Sequence, residues 1–220
     1  MLAPLVLSLK LAAVTTLLLL PLATPLAWWL ATTRSTLKVP VQAVVAMPLV
    51  LPPTVLGFYF LVFLSPAQPL GKFWVELTGT SLTFSFTGLV VASLVYSLPF
   101  AVQPLQAAFE TLGRREFEAA RTLGASATDA FVSVVLPLSK PGVVSAAVLA
   151  FAHTLGEFGV VLMVGGNIPG ETRTVSIAIY DHVENLEYAE AFQLSGLLLV
   201  GAFMILAAMF FVNRQGRVAR

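Results

Sequence analysis

Residues 109–142 read Phe-Glu-Thr-Leu-Gly-Arg-Arg-Glu-Phe-Glu-Ala-Ala-Arg-Thr-Leu-Gly-Ala-Ser-Ala-Thr-Asp-Ala-Phe-Val-Ser-Val-Val-Leu-Pro-Leu-Ser-Lys-Pro-Gly, the one sizeable polar island in an apolar chain. Of the 12 basic and 11 acidic residues among 220, four of each sign lie here. Glu116 to Leu123 is a strong helix-forming run, and Gly124 suits the left-handed residue that ends such a helix. Ser126, with Asp129 three residues on, forms a capping-box-like restart; Ala130, Phe131, Val134 and Val135 then follow at helical spacing before Pro137. The spacing predicts a helix–turn–helix elbow lying between two membrane spans.

The surroundings of the elbow fix the class. Hydrophobic residues make up 58% of the chain and charged ones 10%, mean hydropathy is +0.91, and several uncharged stretches exceed the ~20 residues that cross a bilayer. A soluble core cannot absorb that much apolar surface. The expected fold is therefore an all-α polytopic membrane protein in a single domain, residues 1–220, with about five spans at 5–33, 41–64, 82–108, 143–164 and 191–212. Net charge is +1, and no basic cluster with interleaved aromatics points to nucleic acid. The absence of cysteine removes disulfides and thiolate chemistry.

In chain order, the first span begins like a signal peptide. Its apolar run continues through Trp28, Trp29 and Leu30, however, and Arg34 and Lys38 follow at once, so it is read as a retained span with the tryptophans in the headgroup belt. The second carries Pro48, Pro52 and Pro53, which should break or kink it and turn residues 47–54 toward protein or a pathway. Residues 65–81 form a loop with an interfacial turn around Phe73 and Trp74. Beyond the fourth span, residues 171–190 hold five acids, with Val175, Ile177, Ile179 and Tyr180 expected against the bilayer. Placing the N-terminus outside puts nine of the 12 basic residues (Arg34, Lys38, Arg114, Arg115, Arg121, Lys140, Arg214, Arg217, Arg220) on the cytoplasmic side, as the positive-inside rule requires. The elbow then lies in the cytoplasm.

The fourth span contains the second constellation, Phe151-Ala-His153-Thr-Leu-Gly156-Glu157-Phe-Gly159. On a continuous helix His153 and Glu157 share a face, and Gly156 and Gly159 admit a close neighbour. A charged group near the middle of a membrane helix costs about 2.5–3.5 kcal/mol on insertion scales, so Glu157 should face protein or water and have a partner. A gate and a buried packing pair both satisfy that requirement. A third stretch, Asn167-Ile-Pro-Gly-Glu-Thr-Arg173-Thr, reads by itself as a turn, with Arg173 either an outer-face anion ligand or a partner of Glu171 or of a docked protein.

Glu118-Ala119-Ala120, three residues, Gly124, nine residues, Val134, one residue, then Leu136-Pro137 resembles the EAA loop of permease subunits in binding-protein-dependent ABC importers, with Val134 where that family usually has isoleucine. Leu155-Gly-Glu-Phe-Gly159 resembles the corresponding span of molybdate, tungstate and sulfate permeases, and together with residues 167–174 it extends the likeness to the molybdate group over nearly the whole chain. The resemblance implies the type I ABC importer permease fold, with Glu118, Ala119, Ala120, Gly124, Val134, Leu136 and Pro137 coupling to an ATPase. Pathway or gate candidates are His153, Gly156, Glu157, Gly159, Pro52 and Pro53. It implies a homodimer in a bacterial or archaeal cytoplasmic membrane, two cytoplasmic ABC ATPase subunits that carry the ATP and magnesium, and an extracytoplasmic molybdate-binding protein. No phosphate-binding loop, metal site or catalytic motif is present in this chain, so no enzymatic activity or resident cofactor is expected of it. A sulfate or thiosulfate permease is the alternative, and a proton-coupled anion carrier or channel using His153 and Glu157 is a more distant one.

Overall fold

The computed structural model describes residues 2–218, and among them the secondary structure is helical, with no strand. The helices are α1 (Leu2–Thr32), α2 (Lys38–Val50), α3 (Pro53–Phe63), α4 (Pro69–Thr78), α5 (Phe86–Tyr96), α6 (Leu98–Leu112), α7 (Arg115–Thr122), α8 (Ala127–Ala130), α9 (Leu136–Leu138), α10 (Lys140–Gly156), α11 (Gly159–Gly165), α12 (Val175–Glu184) and α13 (Tyr188–Val218), with a π turn at Phe131–Val135 between α8 and α9. Two helices, α1 and α13, are by themselves long and apolar enough to cross a membrane; counting each of three bent pairs as one span brings the number to five. The side chains of Arg214, Arg217 and Arg220, which enter the charge count, lie outside the described residues.

Each bend has a local cause. At the end of α2, Leu51 (ψ 136°) and Pro52 (ψ 137°) are both extended, the conformation imposed on a residue that precedes proline. Pro53 then opens α3 at a position where its missing N–H is no loss, and the two helices meet at 109°. The prolines thus break the second span outright. Between α5 and α6 the bend is 40°, with Pro99 in the first turn of α6. The fourth span departs from expectation: α10 stops at Gly156, Glu157 is extended (ψ 135°), and α11 starts afresh at Gly159. Glycines on both sides of Glu157 lower helix propensity there by about 1 kcal/mol each, and no proline is needed.

α1 runs through the middle of the packing, against α6, α10 and α5. The largest buried cluster joins Leu19, Ala23, Ala27 and Leu30 of α1 to Ala101, Leu105 and Phe109 of α6 and Ala146 and Ala150 of α10. The small residues of α1 let the neighbouring backbones approach, as in membrane helix pairs generally. Trp28 belongs to this cluster, so it packs within protein; Trp29 is the exposed member of the pair.

Two further expectations are corrected. Residues 69–78 form a ten-residue helix, not a single turn, with Leu70, Phe73 and Leu77 exposed along one side. Residues 175–184 are helical; Val175 and Ile177 are fully buried and pack on protein, whereas Tyr180 is exposed. Val175 N–H donates to Ser8 Oγ of α1 at 2.8 Å, and Ala178 packs with Leu194 of α13.

Candidate functional site

The elbow forms as its sequence predicts, with one addition. α7 ends at Thr122 with Leu123 as its C-cap, Gly124 takes φ +95°, and Ser126 Oγ accepts from the Asp129 N–H at 3.1 Å to cap α8. A Cβ on Gly124 would meet nothing within 4 Å, so the requirement for glycine there is conformational and not steric. The addition is the π turn carrying Val134, which widens the helix just before Leu136 and Pro137. None of the α7 residues, Glu118, Ala119 and Ala120 included, is buried, and Leu123 is 89% exposed. Glu118 is held by Arg114 one turn earlier, at 3.3 Å. The result is a short amphipathic helix projecting from the bundle with a charged start and an apolar tip.

Above it, the break at Glu157 and the break at Pro52–Pro53 face each other. A Cβ added to Gly159 would lie 2.6 Å from Pro53 Cβ, and one on Gly57 2.7 Å from Met163 Cβ. α3 and α11 therefore pack at a distance that only glycine permits. Beside this contact lies a cavity of about 570 Å³ lined by Pro53, Thr54, Tyr96, His153, Gly156, Glu157 and Gly159 among others. Five of the six pathway candidates thus surround one space. Pro52 does not line it; its part is the bend. Gly156 opens onto the cavity, and a Cβ there would have no neighbour within 4 Å, so the close approach expected of both glycines is made by Gly159 alone.

Glu157 and His153 are not partners. Because the helix ends between them, Glu157 turns to α5, where Ser93 Oγ donates to its Oε2 at 2.8 Å; its other oxygen is buried without a partner. His153 Nδ1 bonds Ser97 Oγ at 2.9 Å, and its ring stacks on Phe100 with centroids 3.9 Å apart. Ser97 Oγ also bonds Thr154 Oγ1 at 2.8 Å. Hydrogen bonds of this kind contribute on average about 0.6 kcal/mol each in membrane proteins. Their effect here is to fix the α5–α6 bend against the end of α10. Sequence reasoning missed Ser93 and Ser97, although two serines four residues apart in an apolar span mark one polar helix face.

Arg173 is engaged internally. Its Nε donates to Asn167 Oδ1 at 2.6 Å, its guanidinium pairs with Asp181 at 3.3 Å, and Asn167 Nδ2 donates to Asp181 Oδ1 at 2.9 Å. The triangle pins the loop after α11 to α12. The partner within the chain is Asp181 and not Glu171; beside it, His182 Nδ1 contacts Glu187 at 2.6 Å. No cluster of ligating side chains suited to a metal occurs among the described residues.

A broken-helix bundle with a projecting elbow is the architecture of ABC importer permeases, and the chain belongs to the family described as binding-protein-dependent transport system inner membrane component, matched over residues 23–218. It is a multi-pass membrane permease component and not itself an enzyme. Among its relatives, the molybdenum transport system permease protein of Azotobacter vinelandii is 57% identical over 213 residues, covering 97% of this chain and 94% of that one. A sulfate transport system permease protein of Escherichia coli is 32% identical over 196 residues, covering 89% and 69%. The fold matches the inward-facing methionine ABC transporter MetNI with TM-score 0.73 at 20% identity, over 96% of this chain and 94% of the other.

Proposed function

We propose that this chain is the membrane subunit of an ATP-driven molybdate importer, acting as a homodimer with two separate ATPase subunits and an extracytoplasmic molybdate-binding protein. The observation that carries the substrate is the 57% identity, nearly end to end, to a molybdenum permease, against 32% to a sulfate permease. In this reading the N-terminus is outside and the elbow cytoplasmic. Glu118 to Gly124 dock on the ATPase, and ATP and magnesium are bound by that partner. Closure of the ATPases draws the two elbows together, and α6 and α10, which flank the elbow, carry the movement to the breaks at Pro53 and Glu157. Glu157 serves as a gate contact and not as a ligand. Against a dianion at 4 Å, one carboxylate charge is unfavourable by roughly 8 kcal/mol at an effective dielectric of 20.

The test is uptake into proteoliposomes containing the full complex, with ATP inside and the binding protein and labelled molybdate outside. ATP-dependent uptake competed by tungstate but not by a large excess of sulfate is expected. Sulfate uptake without molybdate uptake would establish the alternative.

A further inference from the structure

α7 presents no buried residue of its own, yet it must pass a displacement to the spans. It packs on α8 and the π turn, and the side chain that leaves it for the core is Phe117. That ring meets Trp28 of α1, with centroids 5.4 Å apart. Trp28 also meets Phe109 at the end of α6, edge-on at 5.5 Å, and Phe131 at the start of the π turn at 5.3 Å; Phe109 and Phe131 touch each other at 5.9 Å. One indole thus contacts the helix before the elbow, the elbow helix itself and the turn after it.

We infer that Trp28 is a positioning residue for energy coupling: it locks the elbow's rings into one body with α1 and α6, so that movement of α7 moves the spans and not the elbow alone. The inference rests on the coupling role proposed above for the elbow. Aromatic pairs contribute through ring geometry beyond buried area, and packed interfaces shift between discrete arrangements and do not deform continuously. Loss of the central ring leaves Phe117 without a fixed seat, and α7 can then tilt while the spans stay put. The contact at stake is within the chain, so ATPase docking on the exposed face of α7 is unaffected.

The experiment compares the wild-type complex with Trp28→Leu, Trp28→Phe and Phe117→Leu in proteoliposomes, reading molybdate taken up per ATP hydrolysed together with the amount of ATPase subunit retained. Leucine keeps apolar volume so that the bundle folds; phenylalanine restores a ring. Expected are full ATPase retention in all variants, a fall of about tenfold in uptake per ATP for Trp28→Leu, recovery of most of it in Trp28→Phe, and no further loss when Phe117→Leu is added to Trp28→Leu. An unchanged ratio in Trp28→Leu, or additive losses in the double variant, would overturn the inference. Loss of bound ATPase in Trp28→Leu would overturn it as well, since the ring would then shape the docking surface. Absence of ATP-driven uptake in the wild type would instead overturn the proposed function, independently of Trp28.

Discussion

Ser93 Oγ and Glu157 Oε2 lie 2.8 Å apart and join α5 to the break between α10 and α11. The bond gives the one deeply buried acid, 4% exposed, a partner on a different span, where its own helix offers none. Glu157→Gln keeps a carbonyl oxygen for Ser93 and is expected to retain most uptake. Glu157→Ala and Ser93→Ala remove the same bond and are expected to share one phenotype, with ATP hydrolysis persisting while uptake falls about tenfold. The bond itself is worth about 0.6 kcal/mol, but Ser93→Ala leaves the buried acid without a partner and should also cost about 1–3 kcal/mol of stability. Uptake and hydrolysis measured together in liposomes decide it; loss of function in Glu157→Gln with normal assembly would show that the charge itself is needed.

Gly124 is held at φ +95° with open space around its missing side chain. Left-handed backbone disfavours most residues by roughly 1–2 kcal/mol, but asparagine adopts it comparatively readily. Gly124→Val should therefore disrupt the elbow and abolish ATPase association or coupling while membrane insertion remains normal. Gly124→Asn should retain function. Pull-down of the ATPase with each variant checks the pair, and equal behaviour of Val and Asn would refute a conformational cause.

Gly159 and Gly156 separate packing from cavity lining. A side chain on Gly159 runs into Pro53, whereas one on Gly156 meets nothing. Gly159→Val is expected to lower stability in detergent by about 1–3 kcal/mol, the usual range for overpacking. Gly156→Ala should leave the melting temperature within error, and any effect it has should appear in transport. Thermal unfolding of the two purified variants distinguishes these outcomes.

Arg173, if it only pins the loop to α12, should be matched by its partner. Arg173→Gln and Asp181→Asn are expected to give the same modest change in stability and the same uptake kinetics. If Arg173 bound the anion, its loss alone would raise the substrate concentration needed for half-maximal uptake. Kinetics of the two variants side by side provide the check.

The elbow was legible because its signals are local: a helix-former run, a glycine and a serine cap act within a few residues, and all three form as read. The break at Pro52–Pro53 was legible for the same reason. The break at Glu157 was not, because two glycines weaken a helix through Gly156-Glu157-Phe158-Gly159 without forbidding it, and the close packing of Gly159 on Pro53 that accompanies the stop joins residues over one hundred positions apart. The pairing of His153 with Glu157 failed with it, since four-residue spacing places side chains together only on an unbroken helix. The contacts of Trp28 were not legible, because an aromatic pair at the end of an apolar run looks alike whether it faces headgroups or three phenylalanines from other helices.

Everything proposed for this chain depends on the exposed elbow coupling it to a separate ATPase. Affinity purification of the tagged chain in mild detergent, followed by identification of what accompanies it, addresses that coupling for wild type and for Glu118→Lys. The chain has no cysteine, so single cysteines placed at Leu123 and Gly170 can report in the same cells which side of the membrane each occupies. A phosphate-loop ATPase is expected in equimolar amount with the wild type and lost from Glu118→Lys, with Leu123 labelled from the cytoplasm and Gly170 from outside. Purification of the wild type without any ATPase, or with Leu123 labelled from outside, would contradict the coupling role.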